Sequence, residues 1–213
     1  MDKSPSEVKH SSKFGKEDGW LIISGVRESI HHYLESGKIT PHENFLNDER
    51  FAEKCGCFVT LKSNSGRDLR GCIGFPEPIY QLSKALTQSA IAAATEDPRF
   101  PSLKISELPS IITEVSILTK PEIIKTTSPL EYPQLIKPGI DGLILRWAFG
   151  SGLLLPQVAR EFEWNAEEFL SNLSMKAGAP PDQWLVPGTE LSKFRATIFE
   201  ESFPNGPVNL TGH

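Results

Sequence analysis

The stretch Leu69-Arg70-Gly71-Cys72-Ile73-Gly74 decides how this chain is organised. It follows an apolar run, Cys57 to Lys62, and a turn of residues that tolerate unusual backbone angles, Ser63 to Gly66. Two strands that flank such a turn predict a β-hairpin. Because side chains alternate across a strand, Arg70 and Cys72 are expected to share one face. The sequence therefore predicts a hairpin that holds a guanidinium beside a thiol.

The rest of the chain predicts a mixture of helices and strands. Residues 20–34 place apolar side chains at three- and four-residue steps, which is typical of an amphipathic helix, and residues 79–95 predict a second helix. Residues 111–118 and 191–201 show alternation and predict strands. Glu114 lies inside the first of these strands, so we expect it to face either solvent or a pocket.

Composition and charge limit the classes of protein to which this chain can belong. Of its 213 residues, 38% are hydrophobic and 23% are charged, as in an ordinary globular protein. The formal net charge of -5 argues against nucleic-acid binding, because Lys and Arg supply most of that affinity. Three cysteines, an odd number, make no disulfide framework and favour a cytoplasmic location. No run approaches the roughly 20 apolar residues of a membrane-spanning helix, so no membrane interaction is expected.

Both ends of the chain are predicted to lie outside the folded domain. Residues 1–16 are polar and lack a hydrophobic period, which predicts a disordered or loosely attached N-terminal tail. Residues 17–201 are predicted to form a single domain, and residues 202–213 a frayed C-terminal tail.

Several segments, taken together and in order, resemble the AMMECR domain family, which is named after a human chromosomal region. These segments are Cys57–Lys62, Leu69–Gly74, Asp97–Pro101, Glu114–Ser116, Asp141–Ile144 and Gly152–Ala159. The resemblance runs from about Trp20 to Glu201. It implies an α+β fold, with a larger subdomain of mostly antiparallel sheet and helices. It also implies a smaller α/β subdomain and a cleft between the two that is lined by the motif residues.

The resemblance implies a pocket but no agreed activity. The residues that match the positions of the family's pocket are Arg70, Cys72, Glu114, Pro156 and Gln157. Members often occur alongside a Memo-type protein and a radical-SAM protein, which implies a shared pathway. Related sequences often carry a second cysteine where this chain has Ser174, so a two-cysteine redox function is weakened.

The thiol of Cys72 is the strongest candidate for chemistry. A thiolate, not a thiol, attacks a substrate, and a nearby cation such as Arg70 lowers the pKa of a thiol. A reactive thiol would be alkylated faster at Cys72 than at Cys55 or Cys57. The alternative is a small side chain that fills a tight strand, since free cysteine is among the most buried residue types. Glu114 is interpreted either as a general acid or base or as the salt-bridge partner of Arg70.

Other polar residues near the motifs have binding or structural interpretations. Gln157, at a predicted helix start, is expected either to contact an anionic or carbonyl ligand or only to cap the helix. Asp97 and Arg99 are interpreted mainly as a pair that ties down a proline-rich loop. Cys55 and Cys57 face the same way, but they lack the two further ligands that zinc needs. Neither a metal nor a cofactor is expected.

These residues support two hypotheses of function. The first is a cytoplasmic cysteine-dependent enzyme, or enzyme component, that acts on a small molecule. Its catalytic residues would be Cys72 and Glu114, and its substrate-binding residues Arg70, Pro156 and Gln157. The second is a regulatory module whose cleft binds a ligand or a partner without chemistry. An unknown small ligand or peptide is the expected occupant in either case.

Overall fold

A computed structural model describes residues 13–211. Its α-helices are α1 (Gly19–Ser36), α2 (Glu43–Asn47), α3 (Leu82–Thr95), α4 (Tyr132–Leu135), α5 (Pro156–Glu161) and α6 (Ala166–Lys176). Its strands are β1 (Gly56–Ser63), β2 (Leu69–Phe75), β3 (Ile111–Leu118), β4 (Glu122–Ile123), β5 (Gly142–Trp147), β6 (Gly150–Leu154), β7 (Glu190–Phe194), β8 (Ala196–Glu201) and β9 (Val208–Thr211). Within the described residues, no helix combines the length and the apolar character needed to cross a lipid bilayer.

Five strands form an antiparallel sheet in the order β2-β1-β3-β8-β9. β1 and β2 form the predicted hairpin, but their register shifts between Leu61 and Lys62. Gly71 pairs with Leu61 and Leu69 pairs with Lys62, which leaves Arg70 outside the regular pairing. An extra residue of this kind interrupts the alternation of side chains and bends the strand locally.

One face of this sheet is apolar and packs against α1 and α3. Three alternate residues of β1, Cys57, Val59 and Leu61, point to this side and are fully buried. Gly71 of β2 faces the same side, and a Cβ atom on it would lie 2.0 Å from the carbonyl oxygen of Ala93 in α3. The close approach of a helix backbone therefore requires a glycine at this point of the motif.

Four strands form a second antiparallel sheet, in the order β4-β7-β5-β6, which packs against α6. The α+β fold class is confirmed. Every strand pair of this second sheet is antiparallel, and the smaller α/β subdomain implied by the resemblance stays a prediction. Only Ala148 and Phe149 connect β5 to β6, whereas parallel neighbours need a crossover of a dozen or more residues. The division into two subdomains separated by a cleft stays a prediction.

A third cluster of buried apolar side chains joins the two sheets. Its members are Leu118, Ile144, Leu155, Phe194, Ala196 and Ile198. The single strand predicted over residues 191–201 is wrong, because the chain leaves the second sheet and enters the first at Arg195. There the N–H of Arg195 donates to Thr119 Oγ1 at 2.9 Å, and the N–H of Thr119 donates to the Arg195 carbonyl at 2.9 Å. Alternate residues on both sides of this point enter the same cluster, which explains the unbroken alternation in the sequence.

Both predicted tails contain ordered residues. The prediction for residues 1–12 lies outside the described part of the chain. Phe14 is 3% exposed, and its ring centroid lies 5.0 Å from that of Phe51, so the tail prediction is wrong at this point. Val208–Thr211 pair with β8, so the prediction of a frayed C-terminal tail is wrong there. A single aromatic residue and a four-residue edge strand are too short to show a periodic pattern of apolar residues, so the sequence alone does not predict them.

Candidate functional site

The face of the first sheet that is turned away from α1 and α3 carries polar side chains. Cys72, Thr60, Glu114 and Glu200 lie directly opposite one another on four consecutive strands, β2, β1, β3 and β8. Lys62 is two residues from Thr60 on β1 and therefore shares its face. We call the following set the polar face: Thr60, Lys62, Cys72, Glu114, Ser116, Gln157 and Glu200.

The thiol of Cys72 is partly buried, and Thr60 Oγ1 donates a hydrogen bond to its Sγ at 3.3 Å. Burial raises the pKa of this thiol above its ordinary value. The hydrogen bond from Thr60 and the charge of Arg99 act in the opposite direction, while the charge of Glu114 adds to the rise. The net shift of this pKa is upward, which disfavours the thiolate, and the cation that acts against the rise is Arg99 and not Arg70.

The backbone of Cys72 is held by Asp97. The N–H of Cys72 donates to Asp97 Oδ2 at 2.9 Å on the outer edge of the sheet. Arg99 donates from Nε to Asp97 Oδ1 at 2.9 Å and from Nη2 to Oδ2 at 2.7 Å. These hydrogen bonds from Arg99 hold the pKa of Asp97 well below its usual range. The interpretation of this pair as a loop tie is confirmed, and the tie also anchors β2.

Glu114 is 6% exposed and pairs with Lys62, whose Nζ lies 2.7 Å from Glu114 Oε2. The same ammonium lies 2.8 Å from Glu200 Oε1, which also accepts from Arg67 Nη2 at 2.6 Å. Burial by itself would lower the pKa of Lys62, but the two carboxylates more than offset it, so this pKa is raised. Lys62 therefore stays charged and is a poor nucleophile. It is Lys62, and not Arg70, that forms the salt bridge with Glu114.

α5 brings Gln157 to the polar face. Its first residue, Pro156, is buried at a helix position where the missing N–H costs nothing. Gln157 Nε2 donates to Glu114 Oε1 at 3.1 Å and lies 3.5 Å from Ser116 Oγ. Gln157 Oε1 is buried and accepts no hydrogen bond from the described residues. The substrate-binding role of Pro156 and Gln157 stays a prediction, but Pro156 positions the glutamine.

Arg70 has partners away from the polar face. Its Nη1 donates to the carbonyl oxygen of Pro101 at 2.8 Å, and its Nε and Nη2 each lie 3.3 Å from Glu107 Oε1. Both partners follow α3 in the chain. The β-bulge interrupts the alternation between Arg70 and Cys72, so the regular spacing on which their shared face was predicted is not present.

The remaining cysteines and Ser174 have structural surroundings. Cys57 is fully buried with its Sγ 3.7 Å from Ser89 Oγ, and burial raises its pKa to about 12. Burial also raises the pKa of Cys55, which is partly buried. Ser174 is fully buried in α6 and donates to the Leu170 carbonyl at 3.0 Å. Between residues 13 and 211, no three His, Cys, Asp or Glu side chains are grouped to hold a metal ion.

Sequence reasoning missed four members of the polar face. Ser116 carries a signal, because it lies two residues from Glu114 on β3 and therefore shares its face. Thr60 and Lys62 carry a signal, because they alternate with buried Val59 and Leu61 on β1 and so belong to the face opposite the core. Glu200 carries none, because its position opposite Glu114 depends on the pairing of β8 with β3, which is distant in sequence.

The fold and the polar face define a class of two-sheet α+β proteins with a polar surface on the larger sheet. A family model described as AMMECR1 matches residues 23–199. The chain belongs to the AMMECR1 family.

Proteins of archaea show the same relationship along nearly the whole chain. Protein MJ0810 of Methanocaldococcus jannaschii is 50% identical over 192 residues, which cover 90% of this chain and 94% of that protein. Protein MK0488 of Methanopyrus kandleri is 48% identical over 197 residues, which cover 92% and 94%. The crystal structure of the uncharacterized protein PH0010 from Pyrococcus horikoshii has a TM-score of 0.88 and 45% identity, and the match covers 94% of this chain and 99% of that one. The resemblance seen in the sequence is thus confirmed.

Proposed function

We propose that this protein is a binding module whose polar face holds a small polar molecule without thiolate chemistry. The state of Cys72 carries the proposal. Burial raises the pKa of its thiol, and the group hydrogen-bonded to it is the hydroxyl of Thr60 and not a base. A nucleophilic cysteine needs a base or a cation that favours its thiolate form. The pair of Lys62 and Glu114 offers fixed charges that orient a ligand.

The proposal is tested by capture of metabolites from a cell extract. The purified protein is mixed with a desalted extract, recovered by size exclusion, and its bound compounds are identified by mass spectrometry. We expect wild type and Cys72→Ser to retain the same compounds with unchanged mass. Glu114→Gln, which removes the charge that holds Lys62, is expected to lose them. A covalent adduct on Cys72, or a product formed by wild type alone, would contradict the proposal.

A cysteine-dependent enzyme is the second candidate. In it, Cys72 is the nucleophile, Glu114 is the general acid or base, and Arg70 is an anion-binding group. The hydrogen bond from Thr60 and the charge of Arg99 both favour the thiolate, although burial outweighs them. The same extract distinguishes the two candidates, because turnover that disappears in Cys72→Ser supports the enzyme.

Three further expectations stay predictions. The family resemblance implies a pathway shared with Memo-type and radical-SAM proteins. Affinity purification from the native organism tests this, since both proteins should copurify above the level of a mock-tagged control. Cell fractionation tests the cytoplasmic location, and a gel-shift assay at low ionic strength tests the expected lack of nucleic-acid binding.

A further inference from the structure

The side-chain amide of Gln157 is held in one orientation. Nε2 donates to Glu114 Oε1 at 3.1 Å, and the reversed amide would place Oε1 against a carboxylate oxygen. The third cluster of apolar residues holds α5 in place through Leu155 and Val158, which flank the glutamine. Oε1 is therefore the atom of this amide that can accept a hydrogen bond from another partner.

Gln157 Oε1 is a buried acceptor to which no residue between 13 and 211 donates. Leaving such an acceptor without a donor costs about 1–3 kcal/mol, so native proteins keep few of them, and each one calls for a partner. Gln157 as a whole is only partly buried, so its side chain lies at the border between the protein interior and the solvent. What this atom requires from a ligand is an N–H or an O–H group.

The charges around the polar face are balanced. Lys62 and Arg67 both contact Glu200, and Lys62 also contacts Glu114. Arg99 is bound to Asp97 in the neighbouring loop, and Arg70, the predicted anion binder, is bound to Glu107. Each of these cations already has a carboxylate partner. A phosphate or other polyanion would have to displace a carboxylate from an existing pair, which disfavours it.

We infer that the ligand of the polar face is an uncharged molecule with an amide group whose N–H donates to Gln157 Oε1. This inference rests on the proposed binding function and specifies the class of ligand. An amide is favoured over a simple alcohol because its carbonyl oxygen also accepts from the hydroxyl of Ser116, whose Oγ lies 3.5 Å from Gln157 Nε2.

The test uses two probes of nearly the same shape, acetamide and acetone, which differ in that only acetamide has an N–H donor. Each is titrated into the full chain labelled with nitrogen-15, and the backbone amide signals of Thr60, Cys72 and Ser116 are followed by NMR. We expect acetamide to shift these signals and acetone to bind about fivefold more weakly, the loss of one hydrogen bond. Gln157→Met should reduce acetamide to the level of acetone. The matched control, Gln134→Met at an exposed position of α4, should leave both titrations unchanged.

Several outcomes would overturn the inference. Equal binding of acetamide and acetone, or an unchanged acetamide titration in Gln157→Met, would show that Oε1 is not the acceptor. Shifts caused by inorganic phosphate alone would make the polar face an anion site. In both cases the binding function itself survives, and metabolite capture tests it separately. No shift with any probe also overturns the inference. If Gln157→Met does not fold, Gln157→Ala replaces it with the same expected result.

Discussion

Lys62 Nζ lies 2.7 Å from Oε2 of Glu114 on the neighbouring strand, and both side chains are largely withdrawn from solvent. The same ammonium also contacts Glu200, which lies directly opposite Glu114. A single cation thus separates two carboxylates that would otherwise repel each other. The polar face depends on this arrangement, because Glu114 also holds the amide of Gln157.

Replacement of Lys62 by methionine should destabilise the protein strongly. Removing one partner of a buried ion pair leaves an uncompensated charge, and we expect the free energy of unfolding to fall by about 3 kcal/mol. The double variant Lys62→Met with Glu114→Gln should recover most of this loss. Urea denaturation at pH 7 measures both. If the double variant is no more stable than the single one, the loss in Lys62→Met does not come from the unpaired charge of Glu114.

Alkylation should show that Cys72 is not an activated thiol. Because burial raises its pKa, its reaction with iodoacetamide at pH 7 should be slower than that of free N-acetylcysteine and should rise with pH beyond the ordinary thiol pKa of about 8.5. Thr60→Val removes a hydrogen bond that favours the thiolate and should slow the reaction further. Cys57, which is fully buried, should react only on unfolding. Mass spectrometry of each peptide measures the rates. A rate for Cys72 that levels off below pH 8 would instead support the cysteine-dependent enzyme.

Asp97 should stabilise the edge of the first sheet in a pH-dependent manner. Hydrogen bonds from Arg99 depress the pKa of Asp97 in the folded state, so its contribution is present above the ordinary carboxyl pKa and lost as pH falls. We expect Asp97→Asn to lower the free energy of unfolding by about 2 kcal/mol at pH 7. The difference from wild type should narrow below about pH 4. The exposed Asp68→Asn serves as control, and equal effects of the two substitutions would argue against a special role of Asp97.

Gly71 should not tolerate even a methyl group. The added Cβ would lie 2.0 Å from the Ala93 carbonyl oxygen, so either β2 or α3 must move. Overpacking of this kind costs about 3 kcal/mol. Gly66→Ala in the turn meets only the flexible end of the Asp68 side chain and should cost far less. Thermal unfolding of the two variants compares them directly. A Gly71→Ala variant as stable as Gly66→Ala would show that α3 can move away from β2 at little cost in free energy.

Many elements of the fold could be predicted from neighbours along the chain. The alternation of β1, the turn after Ser63 and the apolar period of α1 are local patterns, and each formed as predicted. The family resemblance and the α+β class followed from such segments in order. The tail predictions failed at Phe14 and at Val208–Thr211, because an isolated ring and a short edge strand gain their order only from the residues that they contact.

The sequence by itself determined that Leu69–Gly74 forms the second strand of a hairpin, because the alternation of side chains and the chemistry of the turn are local properties. Only the tertiary structure decided which cation forms the salt bridge with Glu114. Arg70 is itself the bulge residue outside the regular pairing and binds Glu107, while strand pairing places Lys62 between two carboxylates. These contacts join residues that are 37, 52 and 138 positions apart, and their free energy depends on the packing of the whole chain and not on any local pattern.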